Sequence, residues 1–328
     1  MKYVMTVLGP VAPQSLGFCQ SHEHLCILDG QSARCNPALR IDDPQASRLE
    51  LTDYRAAGGG AVVDAQPVGC GRDPEFLARI SRESGVHVVA STGFHKLMFY
   101  PKDHWIFRWD EDALAELYRG ELAEGMFAPC DGAPPARRTA IRAGQIKTAL
   151  DAEGLTPRYE TLFRAAARAQ IATGAPLMVH TEFGSDPEVL ADFLEGQGVD
   201  LTRVIFCHMD RTMDDPERHA ALCRRGIAME YDTVARGKYH GDGREAELVR
   251  LLLDGGLEDK LLMSLDVTRA RLRRYGGEVG LCYILETFLP LLRRYGVTEA
   301  QIARIFYENP MRYFAVEDPV SGGMPPLR

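Results

Sequence analysis

The feature that most constrains the fold of this 328-residue chain is a pattern repeated along its length. Short apolar runs rich in β-branched residues alternate with segments whose apolar residues recur at helical spacing. Buried strands joined by crossover helices form a parallel sheet, and eight such units close most naturally into an α/β TIM barrel, a (β/α)8 barrel. The candidate strands cover residues 17–25, 61–66, 86–92, 144–148, 176–180, 204–208, 227–232 and 261–266.

Several of the helical segments between these runs open on Asp-Pro and end at Gly, as helices commonly do. A doubly wound open sheet is the competing fold, but no glycine-rich nucleotide fingerprint follows the first strand. We therefore expect one barrel domain over residues 1–328. The segment 317–328 is rich in proline and glycine and is expected to form a C-terminal tail outside the core.

The composition of the chain limits the kinds of partner that it is expected to bind. The formal net charge is −8 and no long basic run is present, so nucleic acid is not an expected partner. No apolar stretch is long enough to span a membrane, and the N-terminus lacks a signal-peptide pattern, so we expect no membrane partner and a cytoplasmic protein. The eight cysteines are scattered without CxxC pairs, which indicates reduced thiols and not a disulfide framework or a zinc–thiolate site.

Polar side chains stand at the ends of five candidate strands, where the active site of a barrel is built. His22 and His24 are two residues apart, so on a strand both side chains point to the same face. A buried polar group at the end of an apolar run is costly without a partner, and one shared metal centre satisfies all of them. Nitrogen and oxygen donors without thiolate suit zinc or a similar divalent ion. The candidate ligands are His22, His24, Lys147, His180, His208 and Asp266.

Lys147 is unusual in this set, because an ammonium beside metal-bound histidines is repelled. Carboxylation of its amine by carbon dioxide gives a carbamate whose two oxygens can bridge two metal ions. The alternative is a salt bridge from Lys147 to Asp266 or to another acid. The remaining strand-start, helix and loop histidines, His87, His219 and His240, are interpreted as structural or solvent-exposed.

The motifs SHEHL, QIKTAL, TLFRAAARAQIATGAPLMVHTEFG, RVIFCHMDRTMD and SLDVTR, in this order, resemble the phosphotriesterase family of the amidohydrolase superfamily. The resemblance covers nearly the whole chain, and it implies a distorted (β/α)8 barrel with a binuclear metal centre and suggests a homodimer. By position, His22, His24 and Asp266 would hold the more buried ion, and His180 and His208 the more exposed one. A carboxylated Lys147 would bridge two divalent ions, zinc first, with manganese, cobalt or iron left open.

The resemblance implies a hydrolase in which a hydroxide shared by the two ions is the nucleophile. Asp266, facing that hydroxide, is the expected proton acceptor and the catalytic residue of the chain. Asp210, two residues after His208, is a candidate for orienting a ligand imidazole, and its alternative role is that of a loop or cap aspartate.

The loops after the third, seventh and eighth strands are polar, aromatic and cationic. Cationic loops favour a small-molecule substrate with an anionic or hydroxyl-rich part, whereas bulky neutral organophosphates favour an apolar pocket. The expected substrate is therefore a lactone or carboxylic ester, such as a sugar lactone or its phosphate. A phosphotriester hydrolase, a mononuclear amidase or deaminase, and a non-catalytic binding protein are the alternatives. The candidate substrate-binding residues are His95, Lys96, Tyr100, His104, Arg236, Arg269 and Arg273, with Arg269 the strongest.

Overall fold

The alternation of strand and helix predicted from the sequence is confirmed in the computed structural model, which describes residues 2–212 and 215–317. All eight predicted runs contain a strand, and the third run forms two strands separated by Ala90. The strands are β1 (Lys2–Thr6), β2 (Gly9–Val11), β3 (Phe18–Glu23), β4 (Gly59–Asp64), β5 (His87–Val89), β6 (Ser91–Gly93), β7 (Gln145–Leu150), β8 (Leu177–Thr181), β9 (Val204–Cys207), β10 (Ala228–Tyr231), β11 (Leu261–Met263) and β12 (Ala315–Glu317).

The barrel strands are parallel and follow one another in sequence order. Strands β3, β4 and β5 form one sheet, and β6 through β11 form a second. This order contains no reversal point, which a doubly wound sheet requires, so the competing fold is wrong. At the junction of the last and first barrel strands, the Asp266 N–H donates to the His22 carbonyl over 3.1 Å. Strand pairing among the described residues does not extend across this junction, so the α/β barrel is distorted.

Aspartate–proline pairs begin four of the helices that connect the strands. Asp73, for example, accepts hydrogen bonds from the N–H groups of Glu75 and Phe76 at 2.8 and 3.2 Å, and the same helix ends at Gly85 with a φ of 71°. In the described residues the α-helices span Gln31–Cys35, Pro44–Ala56, Pro74–Ser84, Glu111–Ala123, Pro157–Thr173, Pro187–Gly196, Met209–Thr212, Pro216–Arg224, Asp242–Asp254, Leu289–Arg294, Glu299–Ala303 and Asn309–Tyr313.

A small antiparallel sheet, ordered β12-β1-β2, lies beside the barrel and was not predicted. It changes the boundary of the expected tail, because Glu317 pairs with Lys2 as part of β12. The rest of the predicted tail, residues 318–328, lies outside the described residues. No helix of the described chain is long and apolar enough to cross a membrane.

The core has two parts that together set the position of the polar strand ends. One apolar cluster fills the space between the strands and the surrounding helices, and a second includes small inward-facing residues such as Cys19, Ala61, Val63 and Ala228. All eight cysteines are free thiols, and seven of them are buried. The polar residues described next lie at the carboxyl ends of the strands, above this second cluster.

Candidate metal centre

Three side chains from the two ends of the strand order meet at the carboxyl end of the barrel. His22 and His24 lie on β3 and just after it, and Asp266 follows β11. The Asp266 Oδ1 atom is 3.4 Å from His24 Nε2 and 3.8 Å from His22 Nε2. All three residues are buried. Two imidazole nitrogens and one carboxylate oxygen at these separations could be joined by a single divalent ion.

A second pair of imidazoles lies beside this group. His180 ends the apolar part of β8 and His208 follows β9, and the distance from His180 Nδ1 to His208 Nε2 is 2.7 Å. A hydrogen bond between these two nitrogens needs a proton on one of them. Because both nitrogens point into the same space, they could also face one ion. The geometry therefore brings together the two histidines expected to share the more exposed position.

Asp232, at the end of the seventh barrel strand, orients both groups of imidazoles. Its Oδ1 lies 2.6 Å from His208 Nδ1, and its Oδ2 lies 3.4 Å from His22 Nδ1. An anionic partner on one ring nitrogen fixes the tautomer so that the other nitrogen can bind a metal. Asp232 was not among the residues predicted from the sequence. It stands at the end of the predicted strand 227–232, and this position is the sequence signal that identifies it.

Asp210 was expected to orient a ligand imidazole, and the structure gives that contact to Asp232. The Asp210 Oδ2 accepts the Thr233 backbone N–H at 2.5 Å, so the carboxyl group of Asp210 holds the loop after β10. Its position follows from the short helix that begins at Met209, which turns the Asp210 side chain away from His208 and toward that loop.

Lys147 lies on β7, fully buried among these groups. Its Nζ is 3.3 Å from His22 Nε2 and 3.8 Å from Cys207 Sγ. Within the described residues it forms no ion pair with a carboxylate, and Asp266 instead pairs with Arg211 and Arg236. The salt bridge from Lys147 to Asp266 is therefore not formed. A buried ammonium without an anion is costly, whereas a carbamate at this position would turn the side chain into an oxygen donor.

The backbone at two candidate ligands adopts a conformation that L-residues rarely populate. His208 has a φ of 64° and Asp266 a φ of 49°. Such left-handed positions cost free energy unless the surroundings enforce them, and they cluster at functional sites. Here Glu23 enforces the second one, because its carboxylate accepts the N–H groups of Leu265 and Val267 on either side of Asp266.

Burial sets the charge states of the centre. It lowers the pKa of His22 to about 4, with a further contribution from Lys147, and lowers the pKa of His180 to about 4 as well. Both rings are therefore neutral near neutral pH, which is the form that binds a metal. Burial opposes ionisation of Asp266, but the Arg236 guanidinium and neighbouring imidazoles hold its pKa well below the usual range. The centre offers neutral nitrogen and anionic oxygen donors.

A cavity of about 270 Å3 opens onto these donors. Of the predicted substrate-binding residues, His95, Lys96 and Arg236 line it. Four apolar residues, Ile27, Leu39, Met98 and Phe99, also line the cavity.

The other four predicted substrate-binding residues do not line the cavity, for reasons visible in their contacts. Tyr100 is buried behind His95 and accepts its backbone N–H at 2.9 Å. His104 is buried and caps the turn at Ile106. Arg269 pairs with Asp42, and Arg273 pairs with Glu286 on the surface.

The cations at the cavity are matched by carboxylates, which was not expected from the sequence. Lys96 Nζ lies 2.5 Å from Glu182 Oε2, and Arg236 lies 2.9 Å from Asp266 Oδ2. Glu182 also contacts His180 Nε2 at 3.2 Å, so it connects Lys96 with a candidate metal ligand. The contact with His180 and that with Lys96 hold the pKa of Glu182 well below its usual range. The cationic loops therefore carry less uncompensated charge than their composition indicates.

The chain is similar to known proteins over nearly its whole length. A phospho-furanose lactonase of Mycoplasmopsis synoviae is 29% identical over 97% of this chain and 93% of its own length. The phosphotriesterase homology protein of Escherichia coli is 31% identical over 91% of this chain and 98% of its own. The crystal structure of a lactonase from Listeria monocytogenes superimposes with a TM-score of 0.87 at 29% identity, covering 96% of this chain and all of that one. Since the model of the phosphotriesterase family also matches residues 2–314, the chain belongs to the phosphotriesterase family.

Proposed function

We propose that this protein is a metal-dependent hydrolase that opens a lactone or cleaves a carboxylic ester. The observation that carries the proposal is the convergence of six donor side chains from five barrel strands. Five of the six line one cavity, and the sixth, Lys147, has its Nζ 3.3 Å from His22 Nε2. Relatives named as lactonases support the bond that is cleaved. We include in the proposal a cytoplasmic location, because all eight cysteines are free thiols.

The residues fit a pair of divalent ions. His22, His24 and Asp266 would hold one, His180 and His208 the other, and a carboxylated Lys147 would contact both. The buried Nδ1 atom of His24 makes no hydrogen bond, and the Lys147 ammonium has no anionic partner among the described residues, so the donor set is incomplete as it stands. When bound, such ions lower the pKa of water and polarise the substrate carbonyl. Zinc fits this nitrogen and oxygen set, as do manganese, cobalt and iron.

The protein's own side chains supply the proton transfer and the orientation of the histidine rings. Asp266 presents Oδ1 to the imidazoles, while its Oδ2 faces Arg211 at 3.2 Å and Arg236 at 2.9 Å. We assign Asp266 Oδ2 as the proton acceptor, and the two guanidinium groups favour passing that proton on to the leaving oxygen. Asp232 and Glu182 keep the rings of His208 and His180 in place.

The substrate proposal remains a lactone with a polar or anionic part. Lys96, Arg236 and His95 supply donors to the cavity, although Lys96 and Arg236 are already paired with carboxylates. A hydrolysis screen over sugar lactones, their phosphates, acyl-homoserine lactones and aryl phosphotriesters tests this proposal. Turnover of phosphotriesters alone would contradict it.

A phosphotriester hydrolase is the second candidate, and one observation favours it. The lining residues Ile27, Leu39, Met98 and Phe99 are apolar and suit the ester groups of a neutral organophosphate. Replacing Met98 by Glu would then reduce phosphotriester turnover more than turnover of a sugar lactone.

Carboxylation of Lys147 has a direct test that does not depend on activity. Protein incubated with divalent metal and 13C-labelled bicarbonate is expected to show a carbamate carbon resonance that is absent in Lys147→Met. The same variant should retain less metal. Unchanged metal content in Lys147→Met, with no carbamate resonance in the wild type, would contradict a bridging role.

A further inference from the structure

A second cluster of acidic groups lies behind the cavity and takes no part in the function described above. Asp210 and Glu245 are both buried, Glu245 completely. Asp210 Oδ1 and both carboxylate oxygens of Glu245 lack a hydrogen-bond partner among the described residues. Two ionised carboxylates side by side in a buried site repel each other, and oxygens without donors add a desolvation cost. The cluster therefore needs a neutralising component, either protons or a cation.

His240 completes the cluster, and its tautomer is informative. Its Nε2 lies 3.2 Å from the Asp210 carbonyl oxygen and 3.3 Å from Glu245 Oε2. Its Nδ1 lies 3.3 Å from the Gly241 carbonyl oxygen, which requires a proton on Nδ1 to make a hydrogen bond. Unless the ring is a doubly protonated imidazolium, one of its two nitrogens therefore turns a lone pair toward an oxygen. A cation between Nε2 and its two oxygen neighbours would remove that repulsion.

We propose that Asp210, His240 and Glu245 bind a third divalent cation, separate from the donors at the strand ends. One ligand atom from each residue lies within 4.8 Å of the others. Two carboxylates, a neutral imidazole and the Asp210 carbonyl form a nitrogen and oxygen set that suits Mn2+ or Zn2+. A divalent ion also balances the two carboxylate charges, since the nearby Arg211 already pairs with Asp232 and Asp266.

Two protons are the competing explanation. One would be shared between Asp210 and Glu245, and the other would make His240 an imidazolium whose Nε2 faces Glu245 Oε2 at 3.3 Å. A single cation would contact all of these groups without either proton. It would tie the helix Asp242–Asp254 to the loop that carries Arg236, which contacts Asp266, and would thereby hold that loop in place.

Equilibrium dialysis of the full-length protein against Mn2+, and separately against Zn2+, tests the proposal. Metal analysis is expected to find one equivalent fewer in Glu245→Gln and in His240→Asn than in the wild type. Glu247→Gln, on the exposed side of the same helix, is the control and should match the wild type. The comparison is a difference between variants, so it holds whatever number of ions the strand-end donors bind.

Thermal unfolding gives a readout of opposite sign for the two explanations. If a cation binds, added Mn2+ raises the unfolding midpoint of the wild type more than that of Glu245→Gln or His240→Asn. If a proton is shared, the amide in Glu245→Gln relieves the repulsion and raises the midpoint equally with and without metal. That result, or equal metal content in all variants, would overturn the proposal. His240 lies on a partly exposed loop, so His240→Asn provides the test should Glu245→Gln fail to fold.

Discussion

Glu23 and Asp266 are joined through the backbone on both sides of Asp266. Glu23 Oε1 accepts the Leu265 N–H at 2.8 Å, and Glu23 Oε2 accepts the Val267 N–H at 2.9 Å. The residue between His22 and His24 therefore holds the loop that supplies the carboxylate ligand. Because this loop places Asp266 in a left-handed conformation, the two hydrogen bonds counter a local strain.

Replacing Glu23 by Gln is expected to weaken both metal binding and folding. An amide can accept only one of the two N–H groups, and its own NH2 then faces the other. The loss of a buried hydrogen bond lowers the free energy of unfolding by about 1–3 kcal/mol. Urea unfolding and metal titration of the same preparations measure both effects.

Glu50→Gln is the matched control for that variant. Glu50 is also buried and accepts the backbone N–H groups of Arg274 and Leu281, but it does not line the cavity. It should lose stability while keeping the metal affinity of the wild type. Equal metal affinity in Glu23→Gln and the wild type would show that the loop holds Asp266 without Glu23.

Asp232→Asn is expected to reduce metal affinity by about 10–100-fold, as is usual for carboxylates that orient metal-binding histidines. The amide cannot accept from His208 Nδ1 and the nearby His22 Nδ1 with the strength of an anion. Competition with a chromogenic chelator measures the affinity. Asp186→Asn, at an exposed helix start, is the control. Wild-type affinity in Asp232→Asn would exclude this role.

Variants of Glu182 and of Lys96 are expected to separate an effect on metal affinity from an effect on substrate binding. Glu182→Gln removes the anion beside His180 Nε2, so metal affinity is expected to fall by about tenfold. Lys96→Met leaves that carboxylate in place but removes a donor from the cavity wall, so KM should rise while metal affinity stays near that of the wild type. Steady-state kinetics and chelator competition distinguish the two. Equal effects of both variants on KM and metal affinity would contradict the separation.

The candidate centre could be predicted from the sequence because the active site of a barrel is built at the carboxyl ends of its strands, and apolar runs mark those strands in the sequence. Most of the proposed ligands stand at the ends of apolar runs, and parallel strands bring such ends together, whereas Lys147 lies within β7. The same rule pointed to Asp232 but was not applied to it. The positions of the strands could also be predicted, because their apolar runs are visible in the sequence and do not depend on the conformation of the loops.

Loop residues could not be predicted in the same way, because composition does not show which carboxylate a cation meets. Arg273 pairs with Glu286, thirteen positions along the chain, and Arg269 with Asp42, more than two hundred positions away. The sheet formed by β12, β1 and β2 was missed for a related reason. Its strands are short and come from opposite ends of the chain, so no local sequence pattern predicts their pairing.

His104 should make the stability of the protein depend on pH in a way that one variant removes. Burial lowers its pKa from 6.5 to about 4. Its Nδ1 accepts the Ile106 N–H, and its Nε2 faces the Cys130 carbonyl oxygen, an arrangement that fits the neutral ring. Below the unfolded-state pKa, His104 binds a proton in the unfolded chain, whereas its buried ring in the folded chain stays neutral. This contribution therefore lowers stability as pH falls from about 6.5 to about 4.

His104→Asn keeps an acceptor for the Ile106 N–H but does not titrate. Relative to this variant, the wild type is expected to lose about 2 kcal/mol of unfolding free energy between about pH 7 and about pH 5. Urea unfolding of both proteins at each pH, after metal removal, measures the difference. Between about pH 7 and about pH 8 the difference should stay constant, because the ring is neutral in both states. A constant difference across the whole range would mean that His104 is protonated equally in the folded and unfolded chains.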